Sequence, residues 1–125
     1  MKVMLAMAKR SGQIALKHFN QSNFSLKKDA SVITRADKEI SIYCRSILQK
    51  YLKDPAHLLV DEEDPHIADY LNQQRLDQAE FIWSVDPIDG TRLYANGMPL
   101  FGVSIGLIRD LKPWLGVVYF PVLRE

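Results

Sequence analysis

The sequence predicts an α+β fold in which two long helices pack on a largely antiparallel sheet. Two segments, residues 3–19 and 35–53, repeat apolar side chains at the spacing of an amphipathic helix. Short apolar runs at residues 81–85, 102–108 and 114–120 indicate strands. The last two runs are separated by a short polar connection that suits a hairpin, and a hairpin joins antiparallel strands.

The composition is that of an ordinary globular domain. Apolar residues make up 47% of the 125 residues and charged residues 25%, which is enough apolar material to form a core. The 16 basic and 15 acidic residues give a net charge of +1, which argues against a dedicated nucleic-acid-binding protein. No apolar run approaches the roughly 18 residues of a membrane-spanning helix. We therefore expect neither a nucleic-acid nor a membrane partner.

Cysteine usage and the N-terminal residues bear on location. Cys44 is the only cysteine, so it cannot form an internal disulfide, and its place on the second predicted helix indicates a buried, small apolar side chain. A chain without disulfides fits a reducing compartment. Residues 1–8 are largely apolar, but Lys9 and Arg10 interrupt them and no cleavage signal follows, which argues against a signal peptide. The expectation is a cytoplasmic protein.

The second helix has a clear N-terminal signal. Thr34 suits the N-cap, and Asp37 stands three residues later, in the position of a capping box. Asp37 therefore has a complete structural explanation. Pro55 disfavours helical backbone in the residue before it and ends the helix near Lys53.

Residues 20–33 are expected to form a polar loop or a loose hairpin between the two helices. One interpretation is a solvated turn, because charges on a protein surface usually contribute little. The other is a mobile flap that brings Lys27 or Lys28 towards a phosphate. The residues alone leave both interpretations open.

Residues 61–64 are four consecutive acids that follow a short predicted strand at residues 58–60. Taken alone, they favour a solvated loop in which Asp64, before Pro65, starts the next helix. The segment that follows, residues 65–79, is weakly periodic and indicates a short helix or an irregular connection. No function is needed to explain any of these acids.

The chemistry of the sequence concentrates at the C-terminal end of a predicted strand. Asp86 stands where that strand should end, and Pro87 restrains Asp86 to an extended conformation. Asp89 follows three residues after Asp86, so a turn can bring both carboxylates to one point. Gly90 allows close backbone approach, and the N–H groups of Gly90 and Thr91 can face the same point, as at the start of a helix. Carboxylates for a hard cation beside N–H donors for a phosphate are the chemistry of metal-assisted phosphoryl transfer. The alternative is simple turn formation, for which Asp is also common.

This motif and the segment after it resemble a known family. Residues 86–91 (DPIDGT) and 97–106 (GMPLFGVSIG) closely resemble the inositol monophosphatase family of magnesium-dependent, lithium-sensitive phosphatases. The resemblance implies the layered α-β-α-β-α fold of sugar phosphatases, of which residues 1–125 would be the N-terminal portion that binds metal and phosphate. The C-terminal portion, with one more metal-binding Asp in a Trp-Asp motif, is expected to be absent from these residues.

The resemblance also implies a metal site. Glu62, Asp86 and the carbonyl of Ile88 would hold a first Mg²⁺. Asp86 and Asp89 would share a second Mg²⁺, completed by the Asp of the C-terminal portion. The family carries a small residue before the glutamate, whereas this sequence has Asp61. This extra carboxylate is expected either to crowd the site or to point to solvent.

Catalytic roles follow from the same resemblance. Residues 32–37 (VITRAD) are similar to the family segment Val-x-Thr-x-x-Asp. The resemblance implies that Asp37 and Thr91 orient the attacking water, and that the N–H groups of Gly90 and Thr91 hold the phosphate. It also implies a lysine near the site from the loop before this segment.

The expected activity is Mg²⁺-dependent hydrolysis of a small phosphate monoester, with inositol 1-phosphate as the default substrate. Histidinol phosphate is the runner-up, because Asp-Gly-Thr-Arg followed by an aromatic residue also occurs in phosphatases of that kind. Arg92 and Tyr94 are therefore the local features expected to tune the substrate, although the resemblance implies that the deciding residues lie beyond Glu125. Sugar bisphosphates and nucleoside bisphosphates are further candidates. A different interpretation is a catalytically incomplete half, which acts as a metal-binding or interaction module or is an inactive fragment. Relatives are commonly dimers, so a homodimer is a further expectation.

Overall fold

The structure of the chain, a computed structural model, describes residues 1–21, 24–26 and 32–125. In chain order its helices and strands are α1 (Lys2–His18), β1 (Phe24–Leu26), β2 (Val32–Thr34), α2 (Arg35–Leu52), β3 (His57–Asp61), α3 (Ile67–Tyr70), α4 (Gln73–Gln78), β4 (Phe81–Asp89), α5 (Thr91–Ala95), β5 (Gly102–Arg109) and β6 (Lys112–Tyr119). Lys27 and Lys28, the candidates for a lysine near a phosphate, lie outside the described residues.

Both long helices form where the apolar periodicity predicts them. α1 and α2 begin and end within one residue of their predicted bounds. α2 starts with the predicted capping box, in which Thr34 and Asp37 each accept a hydrogen bond from the backbone N–H of the other. Cys44 on this helix is fully buried, as predicted. None of the helices within the described ranges is long and apolar enough to cross a membrane.

The main sheet contains four strands in the order β3-β4-β5-β6. β3 runs parallel to β4, whereas β4, β5 and β6 are antiparallel neighbours, so the sheet is mixed but largely antiparallel, as predicted. The last residue of β3, Asp61, pairs with Val85 of β4. This parallel pairing brings the acids that follow β3 next to Asp86. β1 and β2 form a separate antiparallel pair before α2.

The site-bearing strand β4 is packed on both faces. The main core joins both long helices to β3, β4 and β5, and includes Met4, Met7, Ile40, Leu48, Leu59, Val85, Val103 and Ile105. A smaller cluster consists of Leu58, Ala79 and Ile82. Because successive strand residues point to opposite faces, this second cluster lies across the sheet from the helices. On the helix side the core includes Val85 and Ile88 of β4, and on the other face the smaller cluster includes Ile82.

The sequence predicts that β4 ends at Asp86, and this prediction is wrong. The strand continues to Asp89, and its pairing with β5 shifts register between Asp86 and Asp89. Pro87 lies inside this irregularity, where its missing N–H costs no regular ladder hydrogen bond. The strand therefore bends after Asp86, keeps Ile88 buried and leaves the sheet at Gly90.

The connection between β5 and β6 is tighter than predicted. Its turn consists of Asp110 and Leu111, whose φ angles are 48° and 59°. Two residues with positive φ match the twist of the flanking antiparallel strands. β6 accordingly begins at Lys112, two residues before the predicted start at Trp114.

The sequence predicts that Asp64 starts a helix, and this prediction is wrong. α3 begins at Ile67, after His66. The Asp64 carboxylate accepts the His66 N–H over 2.9 Å, and this local turn offers the backbone an alternative to a helix. The segment 65–79 contains the short helices α3 and α4, in agreement with its weak periodicity.

Gly90 joins β4 to α5 in a conformation that residues with a side chain adopt at a cost. Its φ is 89°, in the left-handed region, and an added Cβ would lie 3.0 Å from the carbonyl oxygen of Leu100. The close backbone approach predicted for Gly90 is therefore observed, and it is made to the segment before β5. This contact sets where the chain turns out of the sheet and into α5.

We expect Gly90→Ala to lower the free energy of unfolding by at least about 1 kcal/mol, because the left-handed backbone and the contact with Leu100 both penalise a side chain. Gly116→Ala is the matched control, since an added Cβ there meets nothing within 4 Å, and its expected change is within about 1 kcal/mol. Urea denaturation of the wild type and the two variants measures the difference. Equal destabilisation by the two substitutions would contradict the role given to Gly90.

Candidate active site

Thr34 holds Asp37 in the first turn of α2. The N–H and the hydroxyl of Thr34 both donate to Oδ2 of Asp37, over 2.8 and 2.5 Å, and the Asp37 side chain is buried. The other oxygen, Oδ1, lies 3.5 Å from the hydroxyl of Thr91. Capping of the helix and a place in the site are therefore compatible, because they use different oxygens of the same carboxylate.

Thr91, the first residue of α5, lies between Asp37 and the backbone of β4. Its hydroxyl is 2.8 Å from the carbonyl oxygen of Ile88 and 3.5 Å from Oδ1 of Asp37. A hydroxyl has one proton, so Thr91 donates to the nearer acceptor, Ile88. The structure thus brings three of the predicted site groups into one small region.

Asp86 lies among other carboxylates and is partly buried. Its Oδ1 atom is buried and has no hydrogen-bond partner within the described part of the chain. Burial, followed by the charge and hydrogen bonding of Glu62, raises the pKa of Asp86 to about 7. Asp89 and Asp37 add to this effect. A carboxylate that is so costly to ionise is one that a bound cation would stabilise, so Asp86 fits the role of a metal ligand.

Glu62 and Asp89 approach Asp86 from two neighbouring segments. The N–H of Glu62 donates to the carbonyl of Val85 over 3.1 Å, which ties the residue after β3 to the residue before Asp86. Asp89 is exposed at the end of β4, beyond the bend in the strand. Both carboxylates are near enough to raise the pKa of Asp86. Metal binding by these residues stays a prediction.

The chemistry of the donors suits a hard cation. Carboxylates and a backbone carbonyl are the preferred ligands of Mg²⁺ and Ca²⁺, whereas structural zinc sites use Cys and His. No three Asp, Glu, His or Cys side chains in residues 1–21, 24–26 and 32–125 are arranged to hold a metal ion by themselves. Within the described residues, these groups do not form a closed cage. Mg²⁺ commonly keeps several water ligands, so an open set of this kind is compatible with its binding.

The predicted helical start after the motif is present. Gly90 is the N-cap of α5, Thr91 is its first residue, and the Tyr94 N–H donates to the Gly90 carbonyl over 3.0 Å. The first N–H groups of a helix have no partner within the helix. Phosphate binding by the N–H groups of Gly90 and Thr91 stays a prediction.

Tyr94 does not belong to the site, so its interpretation as a residue that tunes the substrate is wrong. Its ring packs edge-on against Phe101 with 4.7 Å between centroids, and its hydroxyl donates to the carbonyl of Ala15 over 2.7 Å. Burial raises the pKa of Tyr94 well above its usual range. The side chain is part of the core that joins α1 to the motif, whereas Arg92 is exposed.

Asp61 neither crowds the site nor points to solvent, contrary to both expectations. It is fully buried between β3 and α2. Its Oδ2 accepts the Ser41 hydroxyl over 2.5 Å, and its Oδ1 accepts the Glu63 N–H over 3.1 Å. The guanidinium of Arg45 lies 3.8 Å from Oδ2. Ser41 and Arg45 are four residues apart on one face of α2, and this spacing is the signal in the sequence that points to the arrangement.

Two helices on a mixed sheet, with carboxylates gathered where β3 ends and β4 bends, define the class to which this chain belongs. Residues 1–125 match the model of the inositol monophosphatase family, and the chain belongs to that family. It is 36% identical to an inositol monophosphatase of Mesembryanthemum crystallinum, over 94% of this chain and 42% of that protein. It is 32% identical to a histidinol-phosphatase of Chlorobaculum parvum, over 100% of this chain and 45% of that protein.

The solved structures agree on the fold. An inositol monophosphatase of Thermotoga maritima superposes with a TM-score of 0.81 over 99% of this chain and 45% of that chain, at 23% identity. The chain spans between 33% and 45% of the length of the curated relatives named above and of a bifunctional phosphatase of Arabidopsis thaliana. The predicted fold, the N-terminal half of a family member, is thereby confirmed.

We expect Asp86→Asn to stabilise the metal-free chain strongly at pH 8 and only weakly at pH 4. The pKa of Asp86 rises from 3.8 to about 7 on folding, so well below pH 3.8 the carboxyl is neutral in both states, and at pH 4 it adds only a small penalty. As the pH rises from 4 through 7, only the unfolded chain ionises freely, and the folded state loses stability. Removing the charge removes this loss.

Thermal unfolding in the presence of a chelator at the two pH values measures this effect. Asp69→Asn is the matched control, because it removes the same charge from a carboxylate whose side chain is 75% exposed. We expect it to change the melting temperature little at either pH. A shift by Asp86→Asn that is the same at pH 4 and pH 8 would show that the pKa of Asp86 is not raised.

Proposed function

We propose that this chain is the metal- and phosphate-binding portion of a Mg²⁺-dependent phosphate monoesterase. The observation that carries the proposal is the buried Oδ1 atom of Asp86, which has no hydrogen-bond partner among the described residues and lies near three other carboxylates. Negative charge gathered in this way is stabilised by a cation. Membership of the inositol monophosphatase family supports phosphate monoesters as the class of substrate.

The proposed metal ligands come from β4 and from the residue after β3. Glu62, Asp86 and the Ile88 carbonyl would hold one Mg²⁺, and Asp86 and Asp89 would share a second. The Thr91 hydroxyl occupies one of the two lone pairs of the Ile88 carbonyl. When bound, Mg²⁺ lowers the pKa of a coordinated water and neutralises charge on phosphoryl oxygens.

Asp37 and Thr91 would orient the attacking water. Thr34 donates two hydrogen bonds to Oδ2 of Asp37, and Oδ1 of the same carboxylate lies 3.5 Å from the Thr91 hydroxyl. The proton of Thr91 is used in the bond to Ile88, which leaves its hydroxyl oxygen as an acceptor. A water beside this pair can donate one proton to each oxygen, which directs its lone pair away from them. The N–H groups of Gly90 and Thr91 would hold the phosphate oxygens.

We propose inositol 1-phosphate as the default substrate and histidinol phosphate as the alternative. Relatives that carry each of these activities in their names match nearly the whole chain at similar identity. Tyr94 is buried and Arg92 is exposed, so of these two local features only Arg92 is accessible to a substrate. Direct comparison of the two substrates is therefore part of the test.

A second candidate function is a catalytically incomplete half, in which further chain or a second copy supplies the missing ligand. Two observations favour it. The described carboxylates do not form a metal cage by themselves. In addition, side chains on and after β6 are exposed although apolar, with Trp114 and Val118 each 51% and Phe120 41% exposed. A covering partner would bury this surface.

The proposal predicts phosphate release that depends on Mg²⁺ and on Asp89. We expect Asp89→Asn to reduce the rate more than about 100-fold, because it removes a proposed direct metal ligand rather than an outer partner of one. Phosphate release from inositol 1-phosphate and from histidinol phosphate, each with Mg²⁺ and with a chelator, measures the effect. The same assay ranks the two substrates.

Asp69→Asn serves again as the charge-matched control and should retain the wild-type rate. Release that persists in Asp89→Asn, or that does not depend on metal, would exclude the proposed site. A folded wild-type chain that binds Mg²⁺ but releases no phosphate from either substrate would favour the incomplete half. Circular dichroism and titration calorimetry with Mg²⁺ establish those two conditions.

A further inference from the structure

We infer that Asp61 is a positioning residue, which fixes the loop after β3 so that Glu62 faces Asp86. The inference rests on the proposed function in so far as Glu62 is treated as a metal ligand. The juxtaposition that carries it is a buried carboxylate placed between α2 and the loop that presents Glu62.

The burial of Asp61 is matched by partners on both of its oxygens. A buried carboxylate is costly unless it is hydrogen-bonded. Here the Ser41 hydroxyl donates to one oxygen and the Glu63 N–H to the other, and Arg45 supplies a positive charge at 3.8 Å. Since two of these partners lie on α2 and one lies in the loop, Asp61 connects the helix to the loop.

The backbone around Glu62 is fixed at three points. The carbonyl of Asp61 accepts the Asp64 N–H over 3.1 Å, and the Asp61 side chain accepts the Glu63 N–H. The Glu62 N–H itself donates to the carbonyl of Val85. The Asp61 side chain makes one of the three bonds and the Asp61 carbonyl another, and the third attaches the loop to the residue before Asp86. The direction of the exposed Glu62 side chain therefore depends on Asp61.

One face of α2 sets the spacing between this loop and the rest of the site. Asp37, Ser41 and Arg45 follow one another at four-residue intervals, which places them along a single face of the helix. Arg45 lies 2.6 Å from a carboxylate oxygen of Asp64, at the far end of the loop. The helix that carries Asp37 thus also holds both ends of the loop. Asp61 is the buried residue in this connection, because its carboxylate accepts one hydrogen bond from α2 and one from the loop.

The test compares Asp61→Ala with Asp61→Asn in the complete 125-residue chain. Alanine removes both side-chain bonds. Asparagine keeps an acceptor for the Glu63 N–H and an amide that can donate to the Ser41 hydroxyl, while it removes the charge. Leu107→Ala is the stability control, because it opens a cavity at a buried β5 position away from the loop.

Two measurements report on the loop and on the metal separately. Amide hydrogen exchange followed by NMR reports on the N–H groups of residues 62–64. Mn²⁺ binding followed by electron paramagnetic resonance reports on the metal site. We expect Asp61→Ala to speed exchange at residues 62–64 more than at β4 and β5, and to weaken Mn²⁺ binding about 10- to 100-fold. Asp61→Asn should retain both properties within about threefold, as expected when hydrogen bonds rather than charge position the loop.

The inference is overturned if Asp61→Ala lowers stability but leaves loop exchange and Mn²⁺ affinity equal to those of Leu107→Ala. Equal losses in Asp61→Asn and Asp61→Ala would also overturn it. If Asp61→Ala does not fold, Ser41→Ala removes one of the bonds and should change both measurements in the same direction, and unchanged loop exchange then overturns the inference. A folded wild type that binds no Mn²⁺ would exclude the proposed metal site, while the exchange data still decide the role of Asp61.

Discussion

The crowding of carboxylates around Asp86 is the constraint on which the arrangement of this molecule depends. One oxygen of Asp86 is buried without a hydrogen-bond partner in the described part of the chain, and burial together with Glu62 raises its pKa to about 7. Such a group destabilises the folded state whenever it ionises. The residues that precede it on β4 are packed, with Val85 in the main core and Ile82 in the smaller cluster on the other face. The energetic cost and the proposed cation therefore lie at the same point, which links metal binding to the stability of the fold.

The N-terminal half of α2 carries residues that order two parts of the candidate site. A capping carboxylate is usually explained by helix stability alone. In this chain the cap divides the two oxygens of Asp37, because Thr34 takes one and the other faces Thr91. One helical turn further on, Ser41 binds the buried Asp61. The same helix thus orders a candidate catalytic group and the loop of a candidate ligand, so their separation is set by helical geometry rather than by a flexible connection.

Local signals explain most of what the sequence predicts, and long-range contacts explain what it misses. The bounds of α1 and α2 and the capping box follow from periodicity and from residues three positions apart, which the sequence displays directly. The end of β4 was misplaced because the bend after Asp86 depends on pairing with β5. Asp61 was expected to meet solvent or the site because charged residues are rarely buried unless paired, and its partner Ser41 lies 20 positions away. The burial of Tyr94 is missed for the same reason, since the carbonyl that accepts the hydrogen bond from its hydroxyl lies 79 positions away.

The burial of Tyr94 also bears on which part of the protein selects the substrate. The groups gathered in this chain are carboxylates, a backbone carbonyl and first-turn N–H groups. They are suited to binding a metal and a phosphate, and the phosphate is common to every phosphate monoester. The aromatic residue that follows the motif contributes to the core instead of to a pocket for the alcohol. Relatives named for two different substrates align with 100% and 94% of this chain at 32% and 36% identity. Under the proposed function, the present residues would act on the phosphate, and recognition of the alcohol would fall to the part of the relatives beyond the match.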